Sequence, residues 1–302
     1  MKITRFAHST QPLVERPVMR YHGAKFRLAP WILGFFPPHQ TYVEPYGGAA
    51  GVLMQKPRAY AEIYNDLDDD IVNVFRVLQD KNASETLTRL LTLTPYARRE
   101  FEQAYEPSPA PIERARRTLV RAFMGFGSSG STKGSTGFRS DMQRTYGTAS
   151  HLWAEYPDAI ASFCQRLQGV LIENRPALDC IRQYDHADTL HYIDPPYVLD
   201  TRITLGHRYY RHEMNDAEHE ELLSVLLTLD GFVIVSGYET DLYDDYLHMW
   251  QKYRTQSRIS SGRGTSIRTE CVWLNPRCAE LQRQQSFDWD AGSSSGVPQT
   301  VR

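Results

Sequence analysis

The chain has 302 residues, 41% of them hydrophobic and 12% aromatic, and a folded chain of that length buries about three-quarters of the surface it exposes when unfolded. A disordered body and a peptide-sized scaffold are therefore both excluded. Lys and Arg number 34 against 36 Asp and Glu, a net charge of -2, so any contact with nucleic acid has to come from local basic patches rather than a global field.

Short apolar runs ending at Gly, Pro or Asp alternate with helical patterns, which is the signature of an α/β sheet. Thr41–Glu44 and Tyr60–Tyr64 read as the first strands. From residue 81 to 166 the pattern turns mainly helical, broken by Pro107-Ser108-Pro109-Ala110-Pro111 and by a Gly/Ser stretch from Gly125 to Gly137. This segment is expected to be an insertion between 1–80 and 167–278, which together form the main domain. Strands resume at Val170–Glu173, Thr189–Ile193, Phe232–Ser236 and Glu270–Leu274. Between them, Ala217–Leu229 sets Leu222, Leu223, Leu226 and Leu227 on one helical face. The strands are apolar on both faces, which predicts a sheet covered on both sides. Residues 279–302 turn rich in Gln, Ser and Gly and are expected to form a mobile tail.

The near-neutral total conceals two basic regions. Arg89 to Arg144 holds ten basic and five acidic residues, and Lys252 to Arg268 holds five basic residues and no acid. Cys164, Cys180, Cys271 and Cys278 form no Cys-x-x-Cys pair and stand near no His at metal-binding spacing, so reduced buried thiols are expected and no metal is required. The first residues lack the apolar core of a secretory leader, and no run approaches the ~18 apolar residues of a membrane span. A cytoplasmic protein that needs no membrane is expected.

The sharpest chemical signal is Asp194-Pro195-Pro196-Tyr197 directly after the strand Thr189–Ile193. Two prolines end the ladder and fix the backbone at a strand's carboxyl end, the edge of an open α/β sheet where ligands bind. A carboxylate and a fixed carbonyl there can accept both hydrogens of an amino group and leave its lone pair facing an electrophile, while the Tyr197 ring offers a stacking face. The tetrapeptide taken alone also fits an ordinary turn. A second constellation, Glu44-Pro45-Tyr46-Gly47-Gly48-Ala49-Ala50-Gly51, is a strand ending in an acid followed by small residues that allow a ligand close to the backbone. It fits a nucleotide loop or a tight turn equally. Asn65-Asp66 follows after the next strand, where an acid accepts hydrogen bonds from ribose hydroxyls. Asp68, Asp69 and Asp70 read as a solvated helix start. No Gly-x-x-x-x-Gly-Lys-Ser/Thr run is present, which argues against a phosphate-loop ATPase. Upstream, Tyr21-His22-Gly23-Ala24-Lys25 by itself reads as a surface turn.

In this order the pieces resemble the Dam-type family of DNA adenine methyltransferases. Tyr21 to Lys25, with Tyr where Trp is common, is similar to its N-terminal motif. Glu44 to Gly51 is similar to its cofactor loop, with Ala50 where Gly is usual, and Asp194 to Tyr197 to its catalytic tetrapeptide. Ser236-Gly237-Tyr238 and Glu270 to Pro276 are further echoes, so the resemblance runs from about Val18 to Pro276. It implies a Rossmann-like S-adenosylmethionine-dependent α/β methyltransferase sheet carrying an inserted, mainly helical target-recognition domain. It further implies S-adenosyl-L-methionine held by Tyr21, Gly23, Lys25, Glu44, Pro45, Tyr46, Gly47, Gly48, Ala49, Gly51, Asp66 and Asp194. Asp194, Pro195, Pro196 and Tyr197 would carry the chemistry on a flipped adenine.

The resemblance also assigns the basic regions to double-stranded DNA, with Arg121, Lys133, Arg139, Arg258 and Arg263 as candidate contacts and Lys252 to Arg268 as a loop gripping the duplex. The enzyme is expected to act as a monomer. Two alternatives stay open: methylation of an amino group on RNA or on a protein glutamine, where an Asn or Asp before Pro-Pro-Tyr also occurs, and a silent DNA-binding relative. An intact tetrapeptide speaks against the second.

Overall fold

The structure is a computed structural model describing residues 14–127, 136–140, 147–198, 210–261 and 264–293, with the backbone course alone at 257–261, 264–267 and 285–293. Among the described residues seven strands form one sheet: β1 (Thr41–Glu44), β2 (Ala61–Asn65), β3 (Val170–Glu173), β4 (Thr189–Ile193), β5 (Phe232–Gly237), β6 (Gln251–Ser261) and β7 (Gly264–Leu274). Their order is β3-β2-β1-β4-β5-β7-β6. The first five pair in parallel, while β7 runs antiparallel to both β5 and β6.

This order places the site. β1 pairs β2 on one side and β4 on the other, so the chain builds outward from β1 in one direction and later from β4 in the opposite one. The connections leaving the carboxyl ends of β1 and β4 diverge and open a crevice between them. β1 ends at Glu44, and β4 ends one residue before Asp194.

Helices α1 (Ala29–Leu33), α2 (Asp69–Gln79), α3 (Lys81–Leu93), α4 (Arg98–Gln103), α5 (Pro111–Met124), α6 (Ala149–Ala154) and α7 (Ile160–Leu167) precede β3. After it come α8 (Ala177–Tyr184), α9 (Asp216–Leu226), α10 (Asp241–Tyr246) and α11 (Pro276–Ser293). The starts follow local chemistry: Asp80 caps α3 by accepting the Ala83 N–H, and Asn215 with Glu218 forms a reciprocal capping box at α9. Helices α3, α5 and α7 share the sheet's hydrophobic core, where Leu87, Leu91, Leu119 and Phe163 belong to the same buried cluster as Tyr64 and Phe75. Glu62 on β2 binds Lys56 Nζ at 2.6 Å and Arg166 Nη1 at 2.7 Å, all three side chains being buried.

Three sequence expectations need correction. Lys252 to Arg268 is no loop; it falls in the β6–β7 hairpin, because its residues pair in register from Gln251 opposite Leu274 to Ser261 opposite Gly264. The expected tail begins as the continuous helix α11, anchored where Asn275 Oδ1 accepts the Cys278 N–H at 3.0 Å. Asp68 is not solvated: it is buried as the N-cap of α2 and accepts the Asp70 N–H. Among the described residues no helix is long and apolar enough to cross a membrane.

Candidate active site

The crevice between β1 and β4 holds a cleft of about 420 Å³, within the range of small-molecule sites. Tyr21, Gly23, Lys25, Glu44, Pro45, Tyr46, Gly47, Gly48, Ala49, Gly51, Asp66 and Asp194 all line it. Three sequence-distant motifs are thus gathered at one sheet edge.

The loop after β1 is shaped by contact. A side chain at Gly47 would run into the Tyr64 ring, and one at Gly48, where φ is +47°, would meet the Tyr21 ring at 2.8 Å. Ala50 takes a left-handed φ of 53° with its methyl fully buried. Ala50 does not line the cleft, so alanine in place of glycine leaves the approach to the loop backbone open. Asn65 ties this loop to the one after β3, donating to the Pro45 and Arg175 carbonyls at 2.9 and 3.0 Å.

Two carboxyl groups face this loop. Asp66 accepts the Gly48 N–H at 2.8 Å on Oδ2 and the Asp68 N–H at 2.8 Å on Oδ1. Burial pushes it up to about 6 against those hydrogen bonds. Glu44 accepts from the Tyr42 hydroxyl at 2.8 Å and the Leu53 N–H at 3.0 Å, both on Oε2. Its burial drives the carboxyl up to about 8. Asp68 also lines the cleft, and its buried Oδ2 has no partner among the described residues while Oδ1 receives Arg211. An unpaired acceptor beside Asp66 is a group that a ligand hydroxyl or N–H would satisfy.

At the end of β4, Lys25 Nζ donates to Asp194 Oδ1 at 2.6 Å, to the Tyr197 hydroxyl at 2.6 Å and to the Gly23 carbonyl at 3.1 Å. Burial alone would lower the Lys25 ammonium, but the Asp194 and Glu270 charges hold it well above the ordinary lysine range. Ser236 Oγ, itself paired with the Tyr192 hydroxyl at 2.8 Å, also donates to Asp194 Oδ1, at 2.9 Å. Oδ1 therefore takes both donors, and Oδ2 takes none among the described residues. The carboxylate is clamped by one oxygen and leaves the other for a substrate.

The candidate DNA contacts fall elsewhere. Arg121 is buried in α5, where it donates to the Ala104 carbonyl at 2.7 Å and to Asp70 at 3.3 Å, so its guanidinium is engaged within the chain. Arg139 is buried as well, its backbone bridging the Met124 carbonyl and the Tyr96 hydroxyl. Arg258 lies on β6 with only its backbone described, and Lys133 and Arg263 fall outside the described residues.

Sequence reading gave no role to Ser236, Tyr192, Asp68 or Arg211. Ser236 stands in a segment noted only as an echo, and its neighbour Asp194 lies 42 residues away in sequence. No local pattern announces such a contact. The Asp66-x-Asp68 spacing was visible, and a helix start that caps itself was its one signal.

The family model described as D12 class N6 adenine-specific DNA methyltransferase matches residues 21–258, from Tyr21 at the cleft to Arg258 on β6. No curated protein matches the chain.

Proposed function

The chain belongs to the D12 class of N6 adenine-specific DNA methyltransferases and is an enzyme that methylates adenine in DNA, and on that premise we propose how its residues divide the work. S-adenosyl-L-methionine is the methyl donor general to this family, and when bound it supplies an electrophilic methyl group on a sulfonium. The cleft residues fit it. Asp66 and the Asp68 Oδ2, which has no partner among the described residues, offer acceptors for ribose hydroxyls, and Glu44 offers a carboxyl group for the cationic amino-acid end.

The observation that carries the proposal is the one-sided clamp on Asp194. The exocyclic nitrogen of adenine is a weak nucleophile because its lone pair is delocalised into the ring. Asp194 Oδ2 would accept one of its N–H bonds and the Pro195 carbonyl the other, drawing the nitrogen toward a tetrahedral shape with the lone pair facing the methyl group. Lys25 and Ser236 hold the carboxylate in that orientation and oppose the upward push of burial on its pKa. The base reaches this point by leaving the duplex, at a cost of a few kcal/mol in lost stacking and pairing. No step needs a thiolate, and burial pushes the Cys271 thiol up to about 11.

The test is to incubate unmethylated DNA with the protein and S-adenosyl-L-methionine and to map modified adenines by long-read sequencing. N6-methyladenine at one recurring sequence is the expected result. Modification confined to RNA or protein substrates would overturn the reading.

A further inference from the structure

The cleft and a second, far smaller cavity reach the tetrapeptide from different sides. Asp194 and Pro196 line the first, Pro195 and Tyr197 the second. In-line transfer puts the base nitrogen opposite the sulfonium across the methyl group, so with the donor in the cleft the base approaches from the side of Pro195 and Tyr197, where the second cavity lies. That cavity has room for about 10 Å³, at most a single water molecule. An adenine ring does not fit.

Tyr238, in the loop that follows β5, fills the space. Its ring stacks on that of Tyr197 with centroids 4.3 Å apart and planes 29° from parallel. A base slotted between two rings needs centroids about 7 Å apart, two carbon contacts of about 3.5 Å each. The two tyrosines are already in contact and leave no slot.

Charged side chains also hold the ring. The Arg268 guanidinium lies 5.1 Å from its centroid, within cation–π range. Buried Glu270 sits beside both tyrosines, accepting the Tyr197 hydroxyl on Oε1 at 3.5 Å. Burial, with the Glu270 charge adding to it, raises the Tyr238 hydroxyl to about 12, so the ring stays neutral. A neutral planar aromatic on the face of Tyr197 is what an extruded adenine would itself present.

We propose that Tyr238 is a placeholder for the target base, occupying the stacking face of Tyr197 in the DNA-free enzyme and yielding it when adenine enters. The inference rests on the reading that Asp194 to Tyr197 receive the adenine. Extrusion then becomes an exchange of one stacked aromatic for another. The gain from stacking the base is reduced by the loss of the Tyr197–Tyr238 pair, and the effect falls on the flipping equilibrium and on KM for DNA rather than on the transfer step.

The experiment compares the full-length wild type with Tyr238→Ala and Tyr238→Phe on a duplex carrying 2-aminopurine at the adenine identified by mapping. Fluorescence gained on binding reports extrusion without methyl transfer, and tritium transfer on the unmodified duplex gives KM and kcat. Tyr238→Ala is expected to raise the fluorescence and lower KM for DNA by about two- to tenfold, the range one aromatic pair is worth. Tyr238→Phe keeps the ring and is expected to match the wild type. Equal melting temperatures and equal calorimetric affinity for S-adenosyl-L-methionine establish that the variants are folded. A Tyr238→Ala enzyme with lower fluorescence and higher KM would make Tyr238 a wall of the bound-base pocket and overturn the placeholder, as would no change in either readout. A wild type that transfers no methyl group to any DNA would overturn the underlying reading, and the placeholder with it, which is a distinct result.

Discussion

Lys25 Nζ lies 2.6 Å from Asp194 Oδ1 although 169 residues separate the two in sequence. The pair closes the site by joining the loop before α1 to the carboxyl end of β4. Both side chains are largely buried, at 4% and 17% exposure, so neither ion has water to replace the other. Lys25→Gln removes the cation that opposes the upward push of burial on Asp194. The acid limb of the kcat–pH profile should therefore move to higher pH, and kcat at neutral pH should fall by about a hundredfold, the scale of a misplaced catalytic group. Tritium transfer measured across the pH range checks both.

Asp66→Ala should weaken S-adenosyl-L-methionine by about tenfold to a hundredfold, the value of hydrogen bonds to a charged acceptor. Calorimetry on the purified variant measures it. An unchanged affinity would move the ribose site away from Asp66.

Cofactor affinity should also depend on pH. Burial holds the free Asp66 up to about 6 and Glu44 up to about 8, whereas a cationic ligand that accepts their company favours the ionised forms. Binding therefore releases protons, and affinity should rise as pH climbs from 6 to 8. Titrations at pH 7 in buffers of different ionisation enthalpy would reveal the released protons. Proton uptake would contradict the assignment of both carboxyl groups.

The parallel half of the fold was legible because its strands are short apolar runs cut off by Gly, Pro or Asp, and β1, β3 and β4 fall where those runs lie. The small-residue loop after β1 and the tetrapeptide after β4 were legible as candidates for the same reason: each sits immediately after a strand, at the sheet edge where the cleft lies. β6 was not legible, because its alternation of basic and polar residues reads as solvent-facing until β7 pairs with it. Arg121 looked like a DNA contact because charge in an insertion resembles a binding face, and only tertiary packing turns its guanidinium toward Ala104 and Asp70. Ser236 and Glu270 act on groups 42 and 73 residues away, a relation set by strand order.

Arg121→Ala should lower thermal stability while leaving the slope of log Kd for DNA against log salt unchanged. A true phosphate contact would reduce that slope by about 0.9. A shallower slope in the variant would return Arg121 to the DNA interface.

Glu62→Ala should destabilise the fold by about 3–5 kcal/mol, because it strands the buried Lys56 and Arg166 without their shared carboxylate. Burial already lowers Lys56 to about 8. In the wild type this group binds its proton less tightly folded than unfolded, so its contribution to stability grows as pH rises from about 8 toward the ordinary lysine value of about 10.5. Thermal melts of both proteins at pH 7 and pH 9.5 check the magnitude and the sign.

We propose that the Asp194 oxygen that takes no donor among the described residues orients the adenine nitrogen for methyl transfer. The most direct measurement is tritium transfer from S-adenosyl-L-methionine to DNA by Asp194→Ala, alongside its DNA affinity under the same conditions. Transfer at background with DNA affinity largely intact is the predicted result. Near-normal methylation by the variant would contradict the mechanism, whatever else of the fold and cleft held.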